Sequence, residues 1–273
     1  MKKSNILYIL ILVLLVAVFC FSAWQVADYF LESREQKEQF DNLAGLVESI
    51  RNSTTEPSGG STGEAGDATE ATARETVPGF SGTLLPEYAV LYAMNQDIVG
   101  WISIEDTKIN YPVMQTPESP DYYLHRNFSR ESSSQGCIYV RETCDVNTPS
   151  DNVTIYGHHM KDGSMFAGLM KYEDKSYWET HDTITFDTLT EHHTYKIFAV
   201  FKTTASVGEG FAYHEFENAE SVGTFDAFVS KCRKLSLYDT GITPVYGDKL
   251  ICLSTCEYTQ TNGRLVVAAV RIS

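Results

Sequence analysis

Apolar and polar positions divide the chain into unlike stretches. From residue 6 to residue 24 nineteen consecutive residues carry no charge, and Lys2 and Lys3 stand just before them. As a helix rising about 1.5 Å per residue, that run covers about 28 Å, close to the hydrocarbon core of a bilayer. Residues 6–24 are therefore expected to form a transmembrane signal-anchor, with residues 1–5 cytoplasmic and everything after Trp24 outside. A cleaved signal peptide is the competing reading. Its apolar region is usually only about 7–15 residues long, and Ser22-Ala23 makes a poor cleavage site. No second apolar run is comparable, so a single-pass membrane protein with an extracellular domain is expected.

Residues 25–53 are mostly polar, but Phe40, Leu43, Leu46, Val47 and Ile50 follow helical spacing, which predicts a juxtamembrane helical stem. Residues 54–78 then turn to Ser, Thr, Gly, Ala and acidic side chains, nearly without apolar bulk. Such a stretch cannot bury enough surface to order itself and is expected to be a flexible linker. Residues 79–273 are left as one folded domain. Within it, β-branched and aromatic runs at 101–104, 109–113, 136–140, 153–156, 183–186, 194–201, 249–254 and 265–272 predict eight strands. Their irregular spacing suits a barrel or sandwich better than a βαβ array. Helices are expected over 85–95, 164–173 and 219–235, the last with Val222, Phe225, Phe228, Val229 and Cys232 as a core-facing stripe. The expected class is mainly β with added helices.

Composition narrows the function classes. Lys plus Arg number 21 against 36 Asp plus Glu, for a net charge of −15, which argues against a nucleic-acid partner. Six cysteines are too sparse for a disulfide-stapled miniprotein. Cys137, Cys232 and Cys252 are expected to be buried, and a Cys137–Cys144 bridge is not expected.

Three features stand at expected strand ends. Tyr156-Gly157-His158-His159 closes one strand, Leu253-Ser254-Thr255-Cys256-Glu257 closes another, and Arg264 opens the last. Taken singly, each has a bland explanation: a small buried thiol, a structural imidazole and a solvated cation. Together they supply a nucleophile, a proton-transfer group and a fixed positive charge. A zinc site built from Cys252, Cys256 and the histidine pair fails on distance. Residues four apart on a strand lie about 13 Å apart, whereas two thiolates on one zinc must come within about 4.6 Å. No metal or organic cofactor is expected.

These segments together resemble the class B sortases, membrane-anchored cysteine transpeptidases of Gram-positive bacteria. The resemblance runs from about Asn95 to Ser273. It includes Asn95-Gln96-Asp97-Ile98-Val99-Gly100-Trp101-Ile102 and Thr107-Lys108-Ile109-Asn110-Tyr111-Pro112-Val113. It also includes Tyr156-Gly157-His158, Leu253-Ser254-Thr255-Cys256 in its class B form with Ser254, and Lys202-Thr203-Thr204 ahead of the 219–235 helix. Two departures stand out: a short Cys256-to-Arg264 interval, with Gly263 allowing a turn, and Ala205 where the family often has a third threonine.

The resemblance implies an eight-stranded sortase-type β-barrel with a helix in the strand 6–strand 7 insertion. It implies Cys256 as nucleophile, His158 as general acid/base in preference to His159, and Arg264 as the cation that orients substrate and stabilises the oxyanion. Leu124, Tyr156, Thr204, Ser254 and Glu257 would line the substrate groove. The implied substrate is a surface-protein sorting signal of the NPxTN or xPxTG kind, cut after threonine. The implied acceptor is an amine of a lipid II-type peptidoglycan precursor. Two alternatives remain from the residues themselves: a cysteine peptidase that releases its acyl intermediate to water, and an anchored surface-binding module without catalysis.

Overall fold

The computed structural model describes residues 2–55, 82–206 and 208–273. The expected linker over 54–78 thus lies, but for its first two residues, outside the described residues. The chain divides into two compact units, Met1–Asn42 and Leu43–Ser273. Helix α1 (Lys2–Thr55) is continuous, with no break between the expected anchor and stem. Its apolar part is long and apolar enough to cross a membrane, and residues 8–24 are all exposed.

The second unit starts inside the expected stem. Leu43 and Val47 are buried there. Near the end of α1, Arg51 pairs with the buried carboxylates of Glu87 at 3.3 Å and Asp187 at 3.0 Å. The last turns of α1 therefore belong to the folded domain.

Short helix α2 (Pro86–Met94) opens with proline, whose missing N–H is no loss in a first turn. Eight strands follow: β1 (Ile98–Ser103), β2 (Asn110–Met114), β3 (Ile138–Val140), β4 (Asn152–Tyr156), β5 (Thr183–Thr188), β6 (Thr194–Thr204), β7 (Leu250–Glu257) and β8 (Gly263–Arg271). They close a barrel in the order β1-β2-β3-β4-β7-β8-β6-β5, with β1 pairing back onto β5. The β2–β3 and β4–β7 pairs are parallel and the others antiparallel. All eight expected strands are present.

Strand β8 lies between β6 and β7, and its Leu265-Val266-Val267-Ala268-Ala269-Val270 run is buried throughout. A strand covered on both faces must be apolar at every position. One face looks into the barrel and the other is covered by helix α4 (Val222–Leu235), which lies between β6 and β7 in sequence. Phe225, Phe228, Val229 and Cys232 of α4 pack with Phe198 and Phe201 of β6, Cys252 of β7 and Val266 and Ala268 of β8. The small residues at Cys252 and Ala268 let the helix approach.

Boundaries differ from expectation for local reasons. Helix α4 begins at Val222 rather than 219 because Ser221 caps it, its hydroxyl accepting from Thr224 N in a capping box. That puts Val222 in the first turn, exposed and off the core stripe. The expected helix over 164–173 is a 3-10 helix at Phe166–Glu173, and α3 (Lys175–Thr180) follows it. Asp174 restarts the chain by accepting from Ser176 N, so the two pieces cannot fuse. Strand β7 runs on to Glu257, which places Cys256 inside the paired strand rather than after it.

Candidate active site

Strand alternation decides which side chains share a face. On β7, Cys252 packs against α4, so Ser254 and Cys256 are on that same outer face while Thr255 and Glu257 alternate inward. In the β7–β8 register Cys256 stands directly opposite Arg264. Directly opposed residues project on the same side with Cβ atoms about 5 Å apart. Arg264 is thus the immediate cross-strand neighbour of the thiol. Its Nη1 donates to the hairpin carbonyls of Asn262 at 3.4 Å and Gly263 at 2.9 Å. Among the described residues no carboxylate pairs with Arg264, so its charge is not neutralised.

His158 reaches the same place from the other side of β7. Tyr156 of β4 registers with Ser254 in parallel. The pairing continues through Gly157 N, which donates to Ser254 O at 3.1 Å, and through Thr255 Oγ1, which donates to Gly157 O at 2.8 Å. His158 therefore leaves the end of β4 alongside the Cys256 end of β7, and parallel neighbours are about 4.8 Å apart.

Two glycines make this possible by their lack of a side chain. A Cβ on Gly157 would lie 2.5 Å from Ile138 Cδ1 and 2.6 Å from Phe166 Cδ2. Gly136 has φ of 57° and would place a Cβ 2.4 Å from Leu124 O. It lets the 3-10 turn Tyr122–His125 lie close over the strand that follows, with Cys137 N donating to Tyr123 O at 2.9 Å.

That turn holds the histidine. His158 Nε2 is 2.8 Å from Leu124 O, and because a carbonyl can only accept, Nε2 carries the hydrogen. Nδ1 of the neutral ring is then the nitrogen with a lone pair. Burial holds the His158 pKa below the ordinary imidazole range; the Leu124 hydrogen bond opposes this and His125 reinforces it. His159 is used differently. Its Nδ1 donates to Cys256 O at 3.0 Å and its ring packs on Tyr258 with centroids 5.1 Å apart. It holds the strand end that carries the thiol.

Exposure separates Cys256 from the other thiols of the domain. Cys137, Cys144, Cys232 and Cys252 are buried, and none of them is bridged, while Cys256 is half-buried. Burial pushes the Cys144 thiol up to about 11, and the same cause raises those of Cys137, Cys232 and Cys252. Those four stay protonated and unreactive. No group of three or more His, Cys, Asp or Glu side chains placed to hold a metal ion occurs among the described residues.

The remaining expected groove residues divide between two places. Leu124 touches the site through its carbonyl, Ser254 hydrogen-bonds Tyr213 across 2.6 Å, and Tyr156 lies beside Tyr139 with ring centroids 5.4 Å apart. Burial raises the Tyr156 hydroxyl to about 12, against the pull of Arg141, so it is a neutral donor. Thr204 sits at the end of β6, its hydroxyl donating to Thr261 O. Glu257 alternates to the inward side and is buried, with Oε1 accepting from Thr259 N at 2.9 Å and facing Lys202 at 3.4 Å. Lys202 in turn pairs with Glu173 at 2.9 Å. Burial works against the Glu257 charge, but Thr259 and Lys202 outweigh it and hold the carboxyl below its usual range. The structure thus places the Glu257 carboxylate away from the thiol face.

His125 and Gly136 went unnoticed in the sequence. A glycine just ahead of a β-rich run carries a turn signal, but nothing local marks His125 as a neighbour of residue 158.

The sortase domain family matches residues 102–272. The sortase B of Listeria monocytogenes is 32% identical over 270 residues, covering 98% of this chain and 97% of that protein. The Staphylococcus aureus sortase B–substrate complex superposes with a TM-score of 0.73 at 25% identity, over 89% of this chain and 99% of that one. A sortase B complexed with triglycine gives a TM-score of 0.71 at 25% identity, over 88% and 99%. The fold, the outward thiol opposite an arginine on the neighbouring strand and these relatives agree: the chain belongs to the sortase family, as a class B cysteine transpeptidase of the kind that anchors surface proteins.

Proposed function

We propose that Cys256, His158 and Arg264 carry the transpeptidation, on a sorting signal of the NPxTN or xPxTG kind and with a cell-wall amine as acceptor. The observation that supports this most is the register that sets Arg264 opposite Cys256 on β7–β8 while β4 brings His158 to the other edge of the same strand.

The Cys256 thiolate attacks the threonine carbonyl of the bound peptide and a C–S bond forms. The carbonyl oxygen takes up the negative charge, which the Arg264 guanidinium beside it stabilises. The C–N bond then breaks as protonated His158 gives its proton to the leaving amine, producing a thioester. The incoming amine attacks that thioester, neutral His158 accepts its proton at Nδ1, a new amide forms and the thiolate leaves. The substrate complex of one relative and the triglycine complex of another support a peptide donor and a glycine-type amine for these two half-reactions. Leu124, Tyr156, Ser254 and Thr204 would line the donor groove. Glu257 would instead brace the strand end through Lys202. A lipid II-type precursor as the acceptor agrees with α1 as a single-pass anchor that holds the domain on the outer surface beside the membrane.

The decisive experiment incubates purified protein with an xPxTx peptide, with and without triglycine. Ligated product that grows with triglycine at the expense of the hydrolysed peptide is expected, whereas hydrolysis alone would make the protein a peptidase. Proline fixes φ in the free peptide and lowers the entropy lost on docking. Equal turnover of the alanine-substituted peptide would count against the motif but leave the thiol chemistry standing.

Arg264→Lys tests the cation. Lysine keeps the charge but loses the planar fork that can hold a carbonyl and an oxyanion together. The expected loss in kcat/KM is at least tenfold, about 1.4 kcal/mol. Near-normal steady-state rates would show that charge alone suffices.

A further inference from the structure

The 3-10 turn that holds His158 presents a second imidazole to it. The His125 and His158 rings have centroids 5.8 Å apart with their planes at 33°. The turn is fastened at several points, so this approach is built in. Tyr123 OH donates to Asp97 at 2.7 Å, Asn95 Nδ2 donates to Tyr123 OH at 2.8 Å, and Ser133 N donates to His125 O at 3.0 Å. The preceding carbonyl of the turn, Leu124 O, is the one that accepts from His158. The same four-residue turn thus fixes one nitrogen of the acid/base ring and sets a titratable ring against it.

We infer that His125 is a positioning residue for the reaction: its charge state, acting from the neighbouring turn, governs how readily His158 takes up a proton. This rests on His158 being the acid/base group. His125 is exposed whereas His158 is half-buried. A positive charge on the outer ring opposes a proton on the inner one. Such a charge favours the neutral form of His158, whose Nδ1 accepts from the incoming amine in the second half-reaction. Other titratable and charged groups also stand around His158. Cys256 lies beside it on β7 and Arg264 opposite Cys256 on β8. His159 is turned to Cys256 O and Tyr258, and Arg126 lies over the Tyr122 ring at 4.6 Å.

The test is an NMR titration of the His158 imidazole in the full chain, for His125→Gln and His125→Lys, together with the pH profile of kcat/KM. The His158 midpoint should lie about 0.5 pH lower in His125→Lys, which carries a permanent cation, than in the uncharged His125→Gln, as expected of a unit charge this close at a partly solvated site. That separation should shrink in about 0.5 M salt. The acidic limb of the pH profile should move with the midpoint. A separation that follows the charge is outside what a merely structural role would give, and because the side chain is exposed neither substitution disturbs the core. Midpoints within about 0.1 pH of each other in the two variants, or a higher midpoint in His125→Lys, would overturn the inference. Transpeptidation surviving in His158→Gln would instead sink the assignment of His158 as acid/base, a result independent of the titration.

Discussion

Cys256→Ala is expected to leave transpeptidation and peptide cleavage below detection, a loss of at least about 10^4-fold, the scale seen when a covalent nucleophile is removed. No other thiol can take its place, because Cys137, Cys144, Cys232 and Cys252 are buried and kept protonated by that burial. The fold should not suffer. Cys256 is half-buried, makes its ladder bonds through the backbone, and is replaced by a residue of similar bulk. Two measurements check this together: a thermal melt within about 2 °C of the parent, and loss of labelling by a thiol-reactive substrate mimic. Residual ligation above trace would remove Cys256 as the nucleophile. A collapsed melt would show that the strand end needs the sulfur for packing.

Gly157→Ala should damage activity almost as badly without touching a reacting group. An added methyl would sit 2.5 Å from Ile138 Cδ1 and 2.6 Å from Phe166 Cδ2, closer than atoms can approach. Both neighbours are fully buried, so neither can swing aside. The chain itself must move, and the next residue is His158. Overpacking of this kind costs about 1–3 kcal/mol of stability. A displacement near 1 Å at a catalytic group costs about 10²-fold in rate. The expected result is therefore a folded protein, somewhat less stable, with kcat/KM down about 100-fold. Unchanged turnover would mean that the close approach at Gly157 does not set the position of His158.

The sequence was most informative where local chemistry and tertiary demand coincide. The apolar Leu265–Val270 run reads as a strand buried on two sides and is one. The Phe225, Phe228, Val229 and Cys232 spacing likewise reads as the inner face of a helix. Family resemblance supplied Cys256, His158 and Arg264 as a set, which composition or periodicity alone would not have joined. What stayed hidden depends on register between distant segments. That Glu257 faces away from Cys256 follows from alternation only once β7 is known to continue to residue 257. The closeness of His125 to His158 follows from a turn that Gly136 admits, and nothing near residue 125 announces it. Equally, the merging of the stem's end into the folded domain rests on Arg51 meeting Glu87 and Asp187, three positions separated by long stretches of chain.

The parallel β4–β7 pairing also bears on when the enzyme becomes reactive. It joins Gly157 to Thr255 across 98 residues, and β8, which pairs with the other edge of β7 and with β6, comes still later in the chain. Contacts of such long range form late, because loop closure must be completed before they contribute. A nascent or partly folded chain therefore carries its histidine long before it carries a competent thiol beside it. Acyl transfer should switch on together with the final cooperative step of folding rather than gradually.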